Sequence, residues 1–132
     1  MKRIRQLLRS PWLWLAAFAI WFATLWVLSS EARHFPAGLD FKFSDKLIHF
    51  CYFFGGGLVA AAFFFRLQPA TPNWRRILLL AILAAGLTGA LDEYHQSFVF
   101  GRSGNDLPDF IADLLGSIVG AFTLKAARRL LS

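Results

Sequence analysis

Cysteine occurs once in this 132-residue chain, at Cys51, so an internal disulfide is excluded. There is no internal repeat, no linker-like tract and no low-complexity segment, which leaves a single domain over residues 1–132. Acids are scarce, eight against fourteen lysines and arginines. Scarcer still is charge within four blocks. Trp12 to Ser30 and Leu47 to Phe65 each run 19 residues without a charged side chain, Ile77 to Leu91 runs 15 and Leu114 to Leu124 runs 11. His49 is the one ionisable group in the second block apart from the weakly acidic Cys51 and Tyr52.

A helix needs about 20 mostly apolar residues to cross about 30 Å of hydrocarbon. The first two blocks meet that length, and the last two meet it if the adjoining polar residues also lie at membrane depth. A buried core helix can be apolar all round, but four of them would leave too little polar surface to cover a soluble protein of this size. The expectation is an all-α fold, a four-helix transmembrane bundle with spans at about 11–30, 45–65, 75–98 and 107–125.

The basic residues set the orientation. Lys2, Arg3, Arg5 and Arg9 precede the first span, Arg66, Arg75 and Arg76 lie between the second and third, and Lys125, Arg128 and Arg129 end the chain; no acid accompanies them. Lysine and arginine favour cytoplasmic loops, so both termini are expected inside. All eight acids then fall on the outer side. The net charge of +6 reads as a topology signal and an affinity for anionic lipid heads, and no nucleic-acid partner is expected. The first span is expected to be retained, because its apolar run exceeds a usual signal-peptide core and Glu31 spoils a cleavage site. The loop Glu31 to Phe43, with Pro36 and Gly38, is the longest irregular outer piece.

Three helical faces stand out. Asp45, His49, Tyr52, Gly56 and Ala60 follow one another at helical spacing, as do Gln96, Asp92, Gly89, Ala85 and Ala81, and again Asp106, Asp109, Asp113, Gly116 and Gly120. Each stripe is polar at its outer end and small further in. Small residues let helix backbones approach closely in a membrane, so the three stripes are expected to face one another, with Gly56, Gly89, Gly116 and Gly120 as packing positions. The first span carries Trp12, Trp14, Trp21 and Trp26 instead and reads as a peripheral, lipid-facing helix with interfacial tryptophans.

Asp113 precedes Lys125 by 12 residues and Asp92 follows Arg76 by 16, about 18 and about 24 Å of helix rise. Both distances fall short of the hydrocarbon thickness, so both acids are expected below the outer surface, where an unpaired acid is costly. Asp45, Asp92, Glu93, Asp106, Asp109 and Asp113 against Lys46 and Arg102 leave four excess negative charges. Protonated His49 and His95, or one divalent cation, would relieve half of that excess. Simpler roles compete: Asp106 as the N-cap of the last helix ahead of Pro108, Ser44 as a cap of the second, His49 as a packed histidine. No HExxH or comparably tight metal spacing occurs, and Ser97 or Ser103 could join a Ser-His-Asp set without anything selecting it.

"SDKLIHF" at 44–50 and "LDEYHQSFVFGRSGNDLPDFIADLLGSIVG" at 91–120 resemble the VanZ-like family of small multi-pass bacterial membrane proteins. The family pattern falls on Asp45, Lys46, His49, Asp92, Glu93, Gln96, Gly101, Arg102, Asp109, Gly116 and Gly120. Asp113 stands where the family often has asparagine, and Phe100 where a proline often precedes Gly-Arg. The family is named for a protein associated with resistance to the glycopeptide teicoplanin. The resemblance implies work at the outer face of the bacterial cytoplasmic (inner) membrane, on or near cell-envelope material, and brings no settled reaction.

Three functions are open at this point. The first is an enzyme or binding protein for an envelope lipid or lipid-linked precursor, with His49, Asp92, Glu93 and Asp109 as candidate catalytic residues. Asp45, Lys46, Gln96, Arg102 and Asp113 would then be candidate ligand-binding residues. Carboxylates and a histidine suit proton transfer, a divalent cation is an open cofactor, and Lys46 and Arg102 would hold a phosphate. The second is a non-catalytic envelope scaffold whose outer loops meet a partner. The third is a small proton- or cation-coupled transporter. Oligomeric state is left open.

Reporter fusions test the topology. Fusions after Arg76 and at the C-terminus should read cytoplasmic, and fusions within 34–43 or 103–106 should read outside; an outside C-terminus overturns the four-span orientation.

Overall fold

The structure, a computed structural model, describes residues 2–32 and 43–131. A short helix α1 (Lys2–Leu8) precedes four long ones: α2 (Pro11–Ser29), α3 (Ser44–Leu67), α4 (Trp74–Gln96) and α5 (Leu107–Ala127). A 3₁₀ turn, Arg128–Leu131, follows α5. All four long helices are long and apolar enough to cross a membrane, so by length and composition the chain is a multi-pass membrane protein. The irregular outer loop expected over 31–43 falls almost wholly outside the described residues.

The helix starts follow local chemistry. Pro11 opens α2, where its missing N–H leaves no bond unmade. Asn73 caps α4, its side-chain oxygen accepting from Arg76 N at 3.1 Å. Asp106 caps α5, as expected, accepting from Asp109 N at 3.4 Å ahead of Pro108. Ser44 does not cap α3: the N-cap is Phe43, without a side-chain cap bond, and Ser44 is already the first helical residue.

α3 packs most extensively on α5, and the pairs Lys46–Asp109, His49–Asp113, Phe50–Gly116 and Phe54–Gly120 climb together along both chains, so the two run parallel. α4 lies antiparallel to both, with Phe53 against Gly89 and Phe65 stacked on Trp74. Glycine sets the α3–α5 distance. A Cβ on Gly116 would meet the Phe50 carbonyl oxygen, and one on Gly120 the Phe54 carbonyl oxygen. Gly57 makes the same approach from the other side, against the Ser117 carbonyl. These helices touch backbone to backbone, the packing available where lipid supplies no hydrophobic drive between helices. At the end away from the polar residues, Ala60, Ala61, Phe65, Ile77, Ala81, Ala121 and Leu124 close the interior.

The reading of α2 as a peripheral helix needs correction in one respect. Trp12 and Trp26 are exposed, but Trp21 is half-buried and keyed into α3. Its Nε1 donates to Tyr52 O at 3.2 Å, and Tyr52 Oη donates back to Trp21 O at 2.8 Å. The indole occupies the space above Gly56, so Gly56 faces α2 and not the other two small-residue stripes. Gly57, which sequence spacing passed over, is the α3 glycine that admits α5.

Gly55 provides a matched control for the close approach, since a Cβ there meets nothing within 4 Å. Gly120→Ala should lower the detergent melting temperature, by an overpacking cost of about 1–3 kcal/mol, while Gly55→Ala should leave it unchanged or raise it. Equal melting of the two variants would mean the helices have room to part.

Candidate functional site

The polar ends of the three stripes meet at one end of the bundle, formed by the C-termini of α2 and α4 and the N-termini of α3 and α5. His49, Asp92, Glu93, Gln96, Asp109 and Asp113 are all buried there, each 4 % exposed or less. Asp45, Lys46 and Arg102 are half-buried at the rim.

His49 is the hub. Its Nδ1 lies 2.8 Å from Asp113 Oδ1, linking α3 to α5. Its Nε2 faces Asp109 Oδ2 at 3.8 Å and Asp45 Oδ1 at 4.0 Å. Lys46 covers the outer side, with Nζ 2.6 Å from Asp109 Oδ1 and 3.5 Å from Asp106 Oδ2. The backbone then locks the hub in place. Ser117 Oγ donates to Asp113 O at 2.8 Å one turn on. Gly89 of α4 leaves the space Asp113 needs, since a Cβ there would come within 3.0 Å of Asp113 Oδ2.

Glu93 reaches the hub from α4. Its Oε2 accepts from Asp106 N at 2.7 Å, so it also satisfies a donor at the entry to α5. The loop after α4 is folded back to allow this. Gly101 and Asn105 both adopt positive φ, 81° and 62°, and Asn105 N donates to Glu93 O at 3.2 Å. A Cβ on Gly104 would strike Ser97 N. Asn105 is a positioning residue the sequence reading missed; asparagine next to glycine was the available signal, because asparagine tolerates the left-handed region.

Asp92 belongs to a neighbouring relay. Its Oδ2 accepts from Gln96 Nε2 at 2.6 Å. Gln96 Oε1 in turn accepts from Arg102, from Nε at 3.1 Å and also from Nη2. Two guanidinium nitrogens thus converge on the carboxamide oxygen, and the glutamine carries its polarisation to Asp92. His95, counted beside His49 as a second charge carrier, is engaged elsewhere: its ring stacks on Trp26 at 4.0 Å.

Three buried carboxylates thus share one pattern. Asp92, Glu93 and Asp113 each spend one oxygen on a hydrogen bond, while Asp92 Oδ1, Glu93 Oε1 and Asp113 Oδ2 have no hydrogen-bond partner among the described residues. Native proteins rarely leave buried acceptors so, because desolvation without a partner is costly. Such a site is suited to holding protons, cations or a donor-rich ligand.

Two cavities, each of about 230 Å³, adjoin the centre. One lies between α2 and α3, lined by Leu25, Leu28, Ile48, Tyr52 and Phe53 with His49 in its wall. The other is lined by Ala90, Glu93, Asn105, Asp106, Leu107 and Phe110. What the fold and site define is a multi-pass membrane protein with a histidine–carboxylate centre buried at one end of its bundle. No family model matches the chain, and no curated protein or solved structure matches it.

The relay can be tested by coupling. Gln96→Leu leaves the Asp92 carboxylate without its donor and should lower stability in detergent by about 1–3 kcal/mol. In an Asp92→Leu background the same change should cost much less. Equal losses in both backgrounds would show that the two residues act independently.

Proposed function

We propose that this protein binds the polar head of an amphiphilic envelope lipid or lipid-linked precursor at the outer leaflet and acts on it by acid–base chemistry. One observation carries the reading: the same His49 that bonds Asp113 also forms a wall of the apolar cavity between α2 and α3. A hydrocarbon chain lying against Leu25, Leu28, Ile48 and Phe53 would bring its headgroup to the buried carboxylates. Ligand sites commonly pair an apolar lining with a few convergent polar groups. Lys46 and Arg102 stand at the rim, where a phosphate would compete with Asp106 and Asp109 for Lys46, and His49 with Glu93 and Asp109 can exchange protons with it.

The outward orientation rests on the arginine-rich inner segments and on the resemblance to VanZ-like proteins, which also supports an envelope role and a link to glycopeptide resistance. Transport fits the interior less well. Below Asp113 the buried residues are glycines, alanines, Ser117, Thr88 and apolar side chains such as Phe53, Phe65, Ile77 and Leu124, and among the described residues no buried ionisable group occurs before Arg66 at the far end. A proton or cation path would need polar steps there.

Filling the cavity separates lipid capture from folding. Ile48→Trp should keep its melting temperature in mild detergent but lose the envelope lipid that wild-type protein retains through purification, as read by mass spectrometry. In cells, a deletion strain and a His49→Ala strain should accumulate the same envelope precursor. Undiminished lipid retention by Ile48→Trp, with normal envelope composition in the His49→Ala strain, would overturn the reading.

A further inference from the structure

We propose that His49, Glu93 and Asp113 hold one divalent transition-metal cation of the zinc or manganese kind inside the bundle. α3, α4 and α5 contribute one residue each, all three residues are buried, and a donor atom from each lies within 4.8 Å of the other two. The ligand-directed observation is the pair of oxygens left over. Glu93 Oε1 and Asp113 Oδ2 are buried with no hydrogen-bond partner among the described residues. Glu93 Oε2 is bonded to Asp106 N, while Asp113 Oδ1 lies on His49 Nδ1, a contact the metal form gives up as Nδ1 turns its lone pair to the ion and the proton moves to Nε2, facing Asp109.

Charge points the same way. Lys46 is committed to Asp109 and Asp106, on the outer side of His49. Once ionised, Glu93 and Asp113 carry two negative charges in a region that water does not screen. One divalent ion balances both, and the neutral imidazole adds a third ligand. Three protein donors with a position left open is the arrangement of catalytic zinc sites. Calcium would need six to eight oxygens, and magnesium keeps most of its waters, so an imidazole with two buried carboxylates suits neither.

A second triad, Asp45, His49 and Asp109, shares the histidine at the rim. It is the weaker trap, because Lys46 already neutralises Asp109 and the Asp45 side chain is 35 % exposed. In the buried site these two acids have another use. Carboxylates near the remaining nitrogen of a metal-bound histidine hold its ring and tautomer, and Asp109 stands 3.8 Å from Nε2. The cavity bounded by Glu93, Asn105 and Asp106 offers the ion a way in.

The proposal shares its residues with the headgroup reading and adds an ion to that centre, so the test is run without added lipid. Full-length protein in detergent is stripped with chelator, then dialysed against Zn²⁺ or Mn²⁺ and analysed for bound metal. Wild type should take up about one ion per chain and melt at a higher temperature with the ion bound. X-ray absorption of the zinc form should show mixed nitrogen and oxygen neighbours, a result that needs no variant to fold. Glu93→Gln should weaken uptake by more than about 10-fold, the loss seen when even an outer partner of a metal site is removed, whereas Asp45→Asn should retain the ion. No uptake by wild type would overturn the proposal, as would uptake that survives Glu93→Gln but not Asp45→Asn. Metal uptake by the lipid-excluding Ile48→Trp variant would support the ion independently of the headgroup reading.

Discussion

The backbone contact between α3 and α5 is the constraint from which the rest follows. Phe50 and Phe54 carbonyls lie against Gly116 and Gly120, and Gly57 lies against the Ser117 carbonyl, so no side chain separates the helices over two turns. Only at that separation does the His49 ring span the gap to Asp113 with a 2.8 Å bond. The two helices also run parallel, an arrangement that places both N-terminal ends at the same level. Acids near helix N-termini are favoured by the helix dipole, and here Asp45, Asp109 and the cap Asp106 all occupy first turns or caps. The polar end is therefore a consequence of helix direction as much as of composition.

A purely structural network would be expected to close its bonds. In this one, each of three carboxylates is held by one oxygen and left open at the other. Fixing one oxygen orients the group while keeping the second available, the geometry expected of a binding or acid–base site held by its surroundings. Replacing a buried ionic cluster by apolar residues is often neutral or stabilising, so stability alone is a poor reason for five buried ionisable groups at this end, and local violations of packing rules tend to mark function.

Much of this was legible in the sequence. The four expected spans, charge-free blocks extended through their polar flanks, fall within two residues of the observed helix ends, and helical spacing assigned buried faces to Asp92, Gln96, Asp109, Asp113 and His49. Periodicity tells which face is inward but not which neighbour it meets. That is why Gly56 was matched to the wrong partner and Gly57 was overlooked. Tryptophan is equally at home at a membrane interface and in a helix contact, and nothing in the spacing distinguished Trp21, which bonds Tyr52, from exposed Trp12. The Arg102 side chain is long and its loop turns through Gly101 and Asn105, so its bond to Gln96 depended on backbone angles that no pattern encodes.

The depth of the centre resolves a conflict between dryness and access. Polar interactions are stronger away from water, which argues for placing His49 and Asp113 deep, whereas a ligand or ion must still arrive. The bundle meets both demands by putting the centre one to two turns inside the helix ends and leaving a cavity on each side of it. The cavity towards α2 is bounded by Leu25, Leu28 and Tyr52 and offers an apolar route from the flank. The cavity beneath Asn105 and Asp106 is bounded by the folded-back loop and, with Glu93 in its wall beside Ala90, Leu107 and Phe110, offers a second. His49 and Glu93 stand at the inner walls of different cavities and belong to the same buried triad. Two openings therefore adjoin one centre, and neither crosses the packed alanine core beyond it.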